Sequence, residues 1–491
     1  MMKLFHNLHA GVVELADTAD SKSAAVKSVP VQVRPPAPLA IRASPFGEAF
    51  SVSGKKAGNA TMTRRYFLKL LSRCLALTGL WTAAGKILPG PTDTPAEAAT
   101  ATIRHIRQIV TRQPAMSRTI MWETGTDIAC RLEVAAIDAG TQTPAQRFYQ
   151  PHAHMLRAED QNVYVYAAAA TDLQPGTAYR YRIVANDPAA TPLSDWHELQ
   201  TPAAAAEAFS ALFYSDSQCA DDYSVWHRTL AAGWGKHPAA NFWADIGDLT
   251  DNGQSAWHWD NFQTATASYM ADHMMVPVMG NHECYGLDWK FCRPEIYLGS
   301  YELPPNGSAR YQGYYYSFDY GCVHFSVLNT QQLELADFAP DIVAEQLSWL
   351  RQDIASSPDR WHIVLMHKDI LAYDEAQPST GTSGGFSDTG RAFMPTFDAL
   401  GIDLVLTGHM HTYRRRGPLY DFKNADRGTI YVMAGPAGGE HYTVPADPLD
   451  QAAIAQPTEE NYLYLEASPA RLQLSCYTAS GRLVDSCTIS R

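Results

Sequence analysis

No part of this 491-residue chain is apolar for the roughly 20 consecutive residues that a membrane helix needs. The nearest approach, Leu70–Ala84, contains Arg73 and is closed by Lys86, which excludes a stable span. Basic charge is also scarce: 38 Lys and Arg stand against 51 Asp and Glu, a formal net charge of -13. No basic tract is long enough to line a nucleic-acid groove, so an anionic substrate would have to be drawn by bound cations. With 8 Cys the chain lacks a disulfide scaffold. It retains enough for one or two bridges, and Cys284 with Cys292, or Cys476 with Cys487, are close enough in sequence to pair.

Thr63-Arg64-Arg65-Tyr66-Phe67-Leu68-Lys69 fits the twin-arginine export signal S/T-R-R-x-F-L-K at every position. The apolar stretch follows it, and then Ala96-Glu97-Ala98, an A-x-A cleavage candidate. Residues 62–98 are therefore expected to be a signal peptide read by the twin-arginine export machinery. The mature chain would begin near Ala99 and reside in the periplasm or outside a bacterial cell. Arg73 occupies a position where lipoproteins carry a small residue, which excludes a lipid anchor at Cys74. Export signals stand at N-termini, so Met62 is the expected start, and residues 1–61 are either untranslated or a disordered leader. Glu14–Asp17 and Val31–Val33 back-translate to the two loops of a transfer-RNA gene.

Length alone favours two domains. From 102 to 203 short strand-like runs alternate with turns: Thr119–Trp122, Ala129–Ala135, Asn162–Ala167 and Tyr179–Ala185. This region holds no metal-ligand cluster and reads as structural support. An all-Ala linker, Ala203–Ala206, leads to residues 207–491. There strand-like runs alternate with helical stretches such as Ile342–Ile354, and a meander closes the chain through Tyr462–Glu466, Arg471–Tyr477 and Leu483–Ile489.

Five apolar runs in the second region stop abruptly on residues that bind metal. Phe209–Tyr214 leads to Asp216, Phe242–Ile246 to Asp248, and Val276–Met279 to Gly280-Asn281-His282-Glu283. Ile363–Met366 leads to His367, and Leu404–Thr407 to Gly408-His409-Met410-His411. Runs of this kind are strands buried on both faces, and ligands at several strand ends converge in the crevice where open α/β sheets bind substrate. Asp216, Asp248, Asn281, His367, His409 and His411 suit two cations better than one. Two cations about 3.5–4 Å apart can hold a bridging hydroxide and clamp a phosphoryl group for in-line attack. His282 would bond that group or protonate the leaving oxygen, with Glu283 orienting its ring. His409 and His411, at i and i+2, would project from one side of an extended segment.

This ordered set resembles the calcineurin-like metallophosphoesterases over 207–491, and within them the purple acid phosphatase branch. Tyr316–Phe325 and Gly408–Arg415 carry the narrower likeness. The segment Asp172-Leu173-Gln174-Pro175-Gly176-Thr177-Ala178-Tyr179-Arg180-Tyr181 resembles the corner of a fibronectin type III-like sandwich, in which a Tyr hydroxyl pins the turn and Trp122 would fill the core. The resemblance implies an N-terminal β-sandwich followed by a four-layer α/β/β/α sandwich. It implies a first cation on Asp216, Asp248 and His411, a second on Asn281, His367 and His409, and Asp248 as the bridge.

Three departures shift the expectation. The family's G-D-x-x-Y is here Gly247-Asp248-Leu249-Thr250-Asp251, which removes the tyrosinate of a ferric site; Asp251 is either a replacement ligand or a helix cap. Gln218 stands where Gly or His is usual and could be a weak oxygen ligand. The loop Lys368–Asp388 contains no His, leaving Lys368, Tyr373 or a water to meet substrate. Two divalent ions (Mn, Zn, Fe or Mg) acting on a small phosphorylated substrate are thus expected. A phosphate monoester is the first choice and a diester or nucleotide pyrophosphate the second; a binding module with a decayed esterase is the non-enzymatic alternative.

Overall fold

The structure, a computed structural model, describes residues 102–137, 146–203, 208–373, 385–454 and 458–491. The expected leader at 1–61, the expected signal peptide at 62–98 and most of the Ala linker lie outside the described residues. The first strands are β1 (Arg104–Ile109), β2 (Arg118–Thr124), β3 (Cys130–Ala136), β4 (Gln146–Tyr149), β5 (His152–Ala158), β6 (Gln161–Ala170), β7 (Ala178–Ala185) and β8 (His197–Gln200). There follow β9 (Phe209–Tyr214), α1 (Ser224–Lys236), β10 (Phe242–Asp245), α2 (Ala256–Asp272), β11 (Met274–Pro277), α3 (Glu295–Ser300), β12 (Tyr316–Tyr320) and β13 (Val323–Val327). Next come α4 (Ile342–Ala355), β14 (Trp361–Leu365), α5 (Asp388–Leu400), β15 (Leu404–Thr407), β16 (Arg414–Tyr420), β17 (Lys423–Asn424) and β18 (Thr429–Met433). The last are β19 (Asp450–Ala453), β20 (Asn461–Ser468), β21 (Arg471–Thr478) and β22 (Leu483–Ser490).

Two large sheets face each other. Sheet 1 has the order β22-β21-β20-β9-β10-β11-β1-β2-β6-β5, and sheet 2 runs β12-β13-β14-β15-β18-β16-β17. Strands β9, β10 and β11 are parallel to one another, as are β13, β14, β15 and β18. These central strands are apolar on both faces because both faces are covered. On β9 the alternation is explicit: Phe209 and Phe213 meet Phe325 of sheet 2 at ring-centroid distances of 6.2 and 6.3 Å. Tyr214 turns the other way onto Trp226 of α1, at 5.1 Å. On sheet 2, Val364 and Val405 face outward into a cluster with Leu350 and Ile354 of α4 and Phe393 and Phe397 of α5. Helices therefore cover the outer face of each sheet, and the main core lies between the sheets.

Helix boundaries follow their caps. Ser255 accepts from His258 N at the start of α2, and Ser387 accepts from Gly390 N at 3.0 Å at the start of α5. Gly401, with φ of 64°, ends α5 in the left-handed conformation that glycine adopts without penalty.

The N-terminal strands do not form a separate sheet stack. β1 pairs in parallel with β11, with Gln108 opposite Met274 and Ile109 opposite Met275, so β1, β2, β6 and β5 extend sheet 1 across the expected linker. The remaining strands form a small sheet, β4-β3-β7-β8, that packs on this extension through Trp122, Leu132, Tyr166 and Tyr181. Trp122 is fully buried and stacks on Tyr166. The corner at Gln174 is held by Tyr179, whose hydroxyl accepts from Gln174 N at 2.8 Å. The third apolar run is a strand at Met274–Pro277, two residues earlier than its sequence pattern places it.

The cysteine pairings anticipated from spacing are not formed: all seven described cysteines are free thiols. The β21–β22 register explains one case, since it sets Asp485 opposite Cys476 and Leu474 opposite Cys487. Among the described residues no helix is long and apolar enough to cross a membrane.

Candidate metal centre

Adjacent parallel strands release their loops at the same edge of a sheet, and here both sheets do so facing one crevice. Asp216 follows β9, Asp248 follows β10, and Asn281 follows β11; His367 follows β14, and His409 and His411 follow β15. All are buried except His409, which is partly exposed. Asp216, Asp248, His409 and His411 have φ of 56°, 56°, 77° and 46°, left-handed values uncommon outside glycine. Four such outliers in one cluster are backbone strain held in place by surrounding structure, a pattern typical of functional sites. The conformation also corrects one expectation. His409 and His411 stand on a left-handed turn, not on one side of an extended segment.

Metal-donor atoms converge in two groups. Asp248, His367 and His409 place theirs within 4.8 Å of one another, and so do Asp216, Asp248 and His411. Asp248 is common to both. Its Oδ2 lies 2.9 Å from His367 Nε2, and Asp216 Oδ1 lies 3.7 Å from His411 Nε2. Asn281 joins the first group with Oδ1 at 3.1 Å from His367 Nε2. The ring tautomers are set from behind: Nδ1 of His367 donates to Ile246 O at 2.8 Å and Nδ1 of His411 to Glu440 O at 2.9 Å, which turns each Nε2 inward. Gly247, at φ of 93°, sits so close that a Cβ would strike the His367 ring.

These donors fit divalent cations. Asp216 Oδ2 and Gln218 Oε1 are buried without a hydrogen-bond partner, whereas buried polar atoms that serve only the fold are normally paired. Burial pushes the Asp216 carboxyl up to about 7, against the lowering influence of His367 and with a smaller repulsion from Asp248. Burial opposes the Asp248 charge too, but His367 beside it wins and holds that carboxyl far below its usual range. The same contact overcomes burial at His367 and raises the imidazole to about 9. Burial depresses His411 to about 3 and drives His409 well below its normal value. A cation bound at Asp248 and His367 therefore competes with a single shared proton, while the other two imidazoles are neutral and ready to ligate.

Glu283 does not orient His282, contrary to expectation. Its carboxylate accepts from the backbone N–H groups of Asp248, Leu249, Thr250 and Gly280, at 3.1, 2.9, 3.3 and 2.6 Å. It ties the loop bearing Asp248 to the loop bearing Asn281. Burial, followed by the nearby Asp248 charge, raises it to about 7. The His282 ring is instead fixed by Asp251, whose carbonyl accepts from Nδ1 at 2.7 Å. The Asp251 carboxylate is not in either group of converging donors and faces His282 and His258 at 3.9 and 3.8 Å, while Ser255 caps α2. Gln218 reaches the site with Nε2 at 3.2 Å from His411 Nε2, and turning its amide over would bring Oε1 to that place.

The candidates for meeting substrate are committed elsewhere. Lys368 Nζ is paired with Glu334 at 2.8 Å, and Tyr373 bonds Asp369 and Arg416; residues 374–384 of that loop lie outside the described residues. Arg414 and Arg416 are fully buried on β16, with Arg416 paired to Asp369 and Asp450 at 2.8 Å each. Tyr442, which the sequence did not flag, stacks on His411 at 4.2 Å and closes that side of the centre.

Residues 193–413 match the calcineurin-like phosphoesterase family. The chain is 27% identical over 197 residues to purple acid phosphatase 18 of Arabidopsis thaliana, covering 39% of this chain and 42% of that protein. It is 26% identical over 221 residues to a probable inactive purple acid phosphatase, number 27, of the same plant, covering 39% and 34%. The chain thus spans less than half the length of these curated relatives. The fold is similar to that of a purple acid phosphatase from yellow lupin seeds, with a TM-score of 0.64 and 18% identity over 80% of this chain and 75% of that one. Likeness reaches both an active and an inactive name, so activity must be argued from the side chains.

Proposed function

We propose that this chain is an exported phosphoesterase that hydrolyses phosphate monoesters at a two-cation centre. The observation that carries the reading is the sharing of Asp248 by two donor groups, one completed by Asp216 and His411, the other by His367, His409 and Asn281. Divalent Mn, Zn, Fe or Mg held there would supply Lewis acidity and an acidified water. Asp251 stands at the position of the tyrosine in the G-D-x-x-Y pattern, which fits divalent ions better than a ferric tyrosinate.

The chain's own residues then divide the work. Asp216 and Asp248 neutralise cation charge, and the inward Nε2 atoms of His367 and His411 complete the donor set without adding negative charge. Asp251 O fixes His282 through Nδ1, so Nε2 is the nitrogen that would deliver a proton to the departing ester oxygen. Glu283 holds the Asp248 and Asn281 loops in mutual register. The export part of the proposal rests on the twin-arginine motif at Thr63–Lys69 and the A-x-A site at Ala96–Ala98. The N-terminal strands, on the Tyr179 corner and the buried Trp122, are read as a fibronectin type III-like support.

The test combines elemental analysis of purified protein with hydrolysis of aryl phosphate mono- and diesters. The expected result is two cations per chain and a preference for the monoester. Activity surviving in both Asn281→Ala and His282→Ala would refute the site, and faster diester hydrolysis would overturn the substrate choice. Export is tested by fractionating cells that carry Arg64→Lys with Arg65→Lys; the processed form should vanish from the periplasm.

A further inference from the structure

The segment that follows the Asn281-His282-Glu283 turn is rich in apolar side chains that the core does not absorb. Leu287 is 56% exposed and Phe291 36% exposed, and Trp289 between them is only partly covered. They follow directly on the His282–Cys284 turn, next to the donor Asn281, where large apolar side chains have no role in holding ions. Trp289 also has a φ of 60°, an outlier for so bulky a residue.

The segment is built to hold that conformation. Gly286 N donates to Lys290 O, Trp289 N to Gly286 O, and Cys292 N to Cys284 O, each at 2.8 Å. Asn252 Nδ2 donates to Gly286 O at 2.8 Å and anchors the segment to the loop after β10. Tyr285 and Phe291 face each other across a β-bridge with ring centroids 5.7 Å apart. The rings reach His282: Tyr285 lies 5.4 Å and Trp289 6.4 Å from its imidazole, both perpendicular to it. A strained, hydrogen-bonded loop thus presents an indole to the residue that hands a proton to the leaving group.

We infer that Trp289, flanked by Leu287 and Phe291, is a stacking platform for a planar aromatic ring carried by the leaving group of the phosphate ester. This rests on the phosphoesterase reading and adds the substrate class. A leaving group protonated by His282 passes close to that imidazole, and Trp289 is the partly exposed ring beside it. Flat aromatic rings gain most from such a surface, by offset or edge-to-face contact over large apolar area. The ring is either bonded directly to the ester oxygen or set off from it by a sugar; the chemistry of recognition is shared.

The test is binding of non-hydrolysable or slowly turned-over pairs to the cation-loaded full chain, by calorimetry. Benzylphosphonate is compared with ethylphosphonate, and the 5′-methylenephosphonate analogue of adenosine monophosphate with that of ribose 5-phosphate, each carrying CH2 in place of the ester oxygen. One stacked ring should make the aromatic member of a pair bind about tenfold tighter. Preference in the first pair places the ring on the ester oxygen, and preference in the second places it beyond a sugar. In Trp289→Ala and in Trp289→Leu, which keeps apolar bulk without a π face, the ratio should fall below about twofold, while Trp289→Phe retains most of it. A wild-type ratio near one in both pairs overturns the platform and leaves the phosphoesterase reading standing. A ratio that persists in Trp289→Ala and Trp289→Leu overturns it as well. Failure of the wild type to bind any of the four compounds overturns platform and metal centre together.

Discussion

The two sheets contribute different chemistry to one site. Sheet 1 supplies oxygen donors only, from Asp216, Asp248 and Asn281, and sheet 2 supplies imidazoles only, from His367, His409 and His411. Neither set is a good cation site alone. The oxygen set would gather two buried carboxylates without compensation, and the imidazole set would offer no charge to a divalent ion. The centre is therefore a property of the apposition of the sheets, which the aromatic contacts of Phe209 and Phe213 with Phe325 fix in position. What differs most is how each side is braced. Sheet 1 ties its loops together through the Glu283 carboxylate, whereas sheet 2 aims the His367 and His411 rings separately by a carbonyl on each Nδ1.

The contrast breaks most severely at Asp248, the one residue that both donor groups share. Asp248→Asn keeps the shape but removes the charge facing His367 and the common donor of two cations. We expect loss of both ions by elemental analysis and a fall in kcat/KM of about 10,000-fold, roughly 5 kcal/mol in transition-state free energy. Asp216→Asn should strip only the Asp216–His411 side and retain about one ion per chain. Equal metal loss in the two variants would show that the groups do not meet at Asp248.

A second difference concerns the sheets' flanks. Sheet 1 alone is extended by the N-terminal strands, and Glu123 on β2 anchors that extension through Arg107 at 3.0 Å and His105 at 2.8 Å. Burial opposes the Glu123 charge, but Arg107 and then His105 outweigh it and lower the carboxyl to about 2 from 4.5. A depressed carboxyl contributes stability that is fully present above the unfolded value near 4.5 and lost as pH falls through about 2. By linkage the contribution is on the order of 3 kcal/mol. Denaturant titrations of wild type should therefore show stability declining from about pH 5 downward, and Glu123→Gln should flatten that part of the curve. An unchanged slope in Glu123→Gln would place the acid-sensitive group elsewhere.

How much of this the sequence shows depends on whether a contact is made by a side chain or by the backbone. The ligands are legible because apolar runs stop on them, and the closing strands because three β-rich runs are separated by short turns. The role of Glu283 is not legible, since its partners are four backbone N–H groups that carry no residue signature. The same holds for Asp251, which orients His282 by a carbonyl every residue possesses. Nor does any local pattern announce that β1 pairs beside β11 across more than 160 residues of chain. The burial of Arg416 is likewise illegible, since the carboxylates that enclose it, Asp369 and Asp450, lie 47 and 34 residues away in the chain.

Glu283→Gln tests the bracing of sheet 1 directly. The amide keeps one acceptor but sets an NH2 group against N–H donors, leaving about two buried donors unmet at roughly 1–3 kcal/mol each. Melting should shift down accordingly, and cation affinity should drop about tenfold because the two loops lose their common tie. A variant that melts lower yet binds cations as tightly would separate bracing from coordination.

Gln218 carries the smallest expected effect and sharpens the comparison furthest. On the sheet 1 side of the centre it stands closest to sheet 2 chemistry, its amide nitrogen 3.2 Å from His411 Nε2 while its buried oxygen has no partner. Were the oxygen a ligand, the first cation would have four protein donors and Gln218→Ala would weaken that cation about tenfold or more. Were the amide only a neighbour of His411, truncation would leave cation affinity within about threefold and cost mainly the packing of a small buried group. The orphaned oxygen favours the first outcome, because a buried amide that serves only the fold would ordinarily satisfy both of its ends. Gln218→Glu separates the two further: a ligand oxygen gains charge and tightens the cation, whereas a mere neighbour of Asp216 adds a third buried carboxylate and lowers stability.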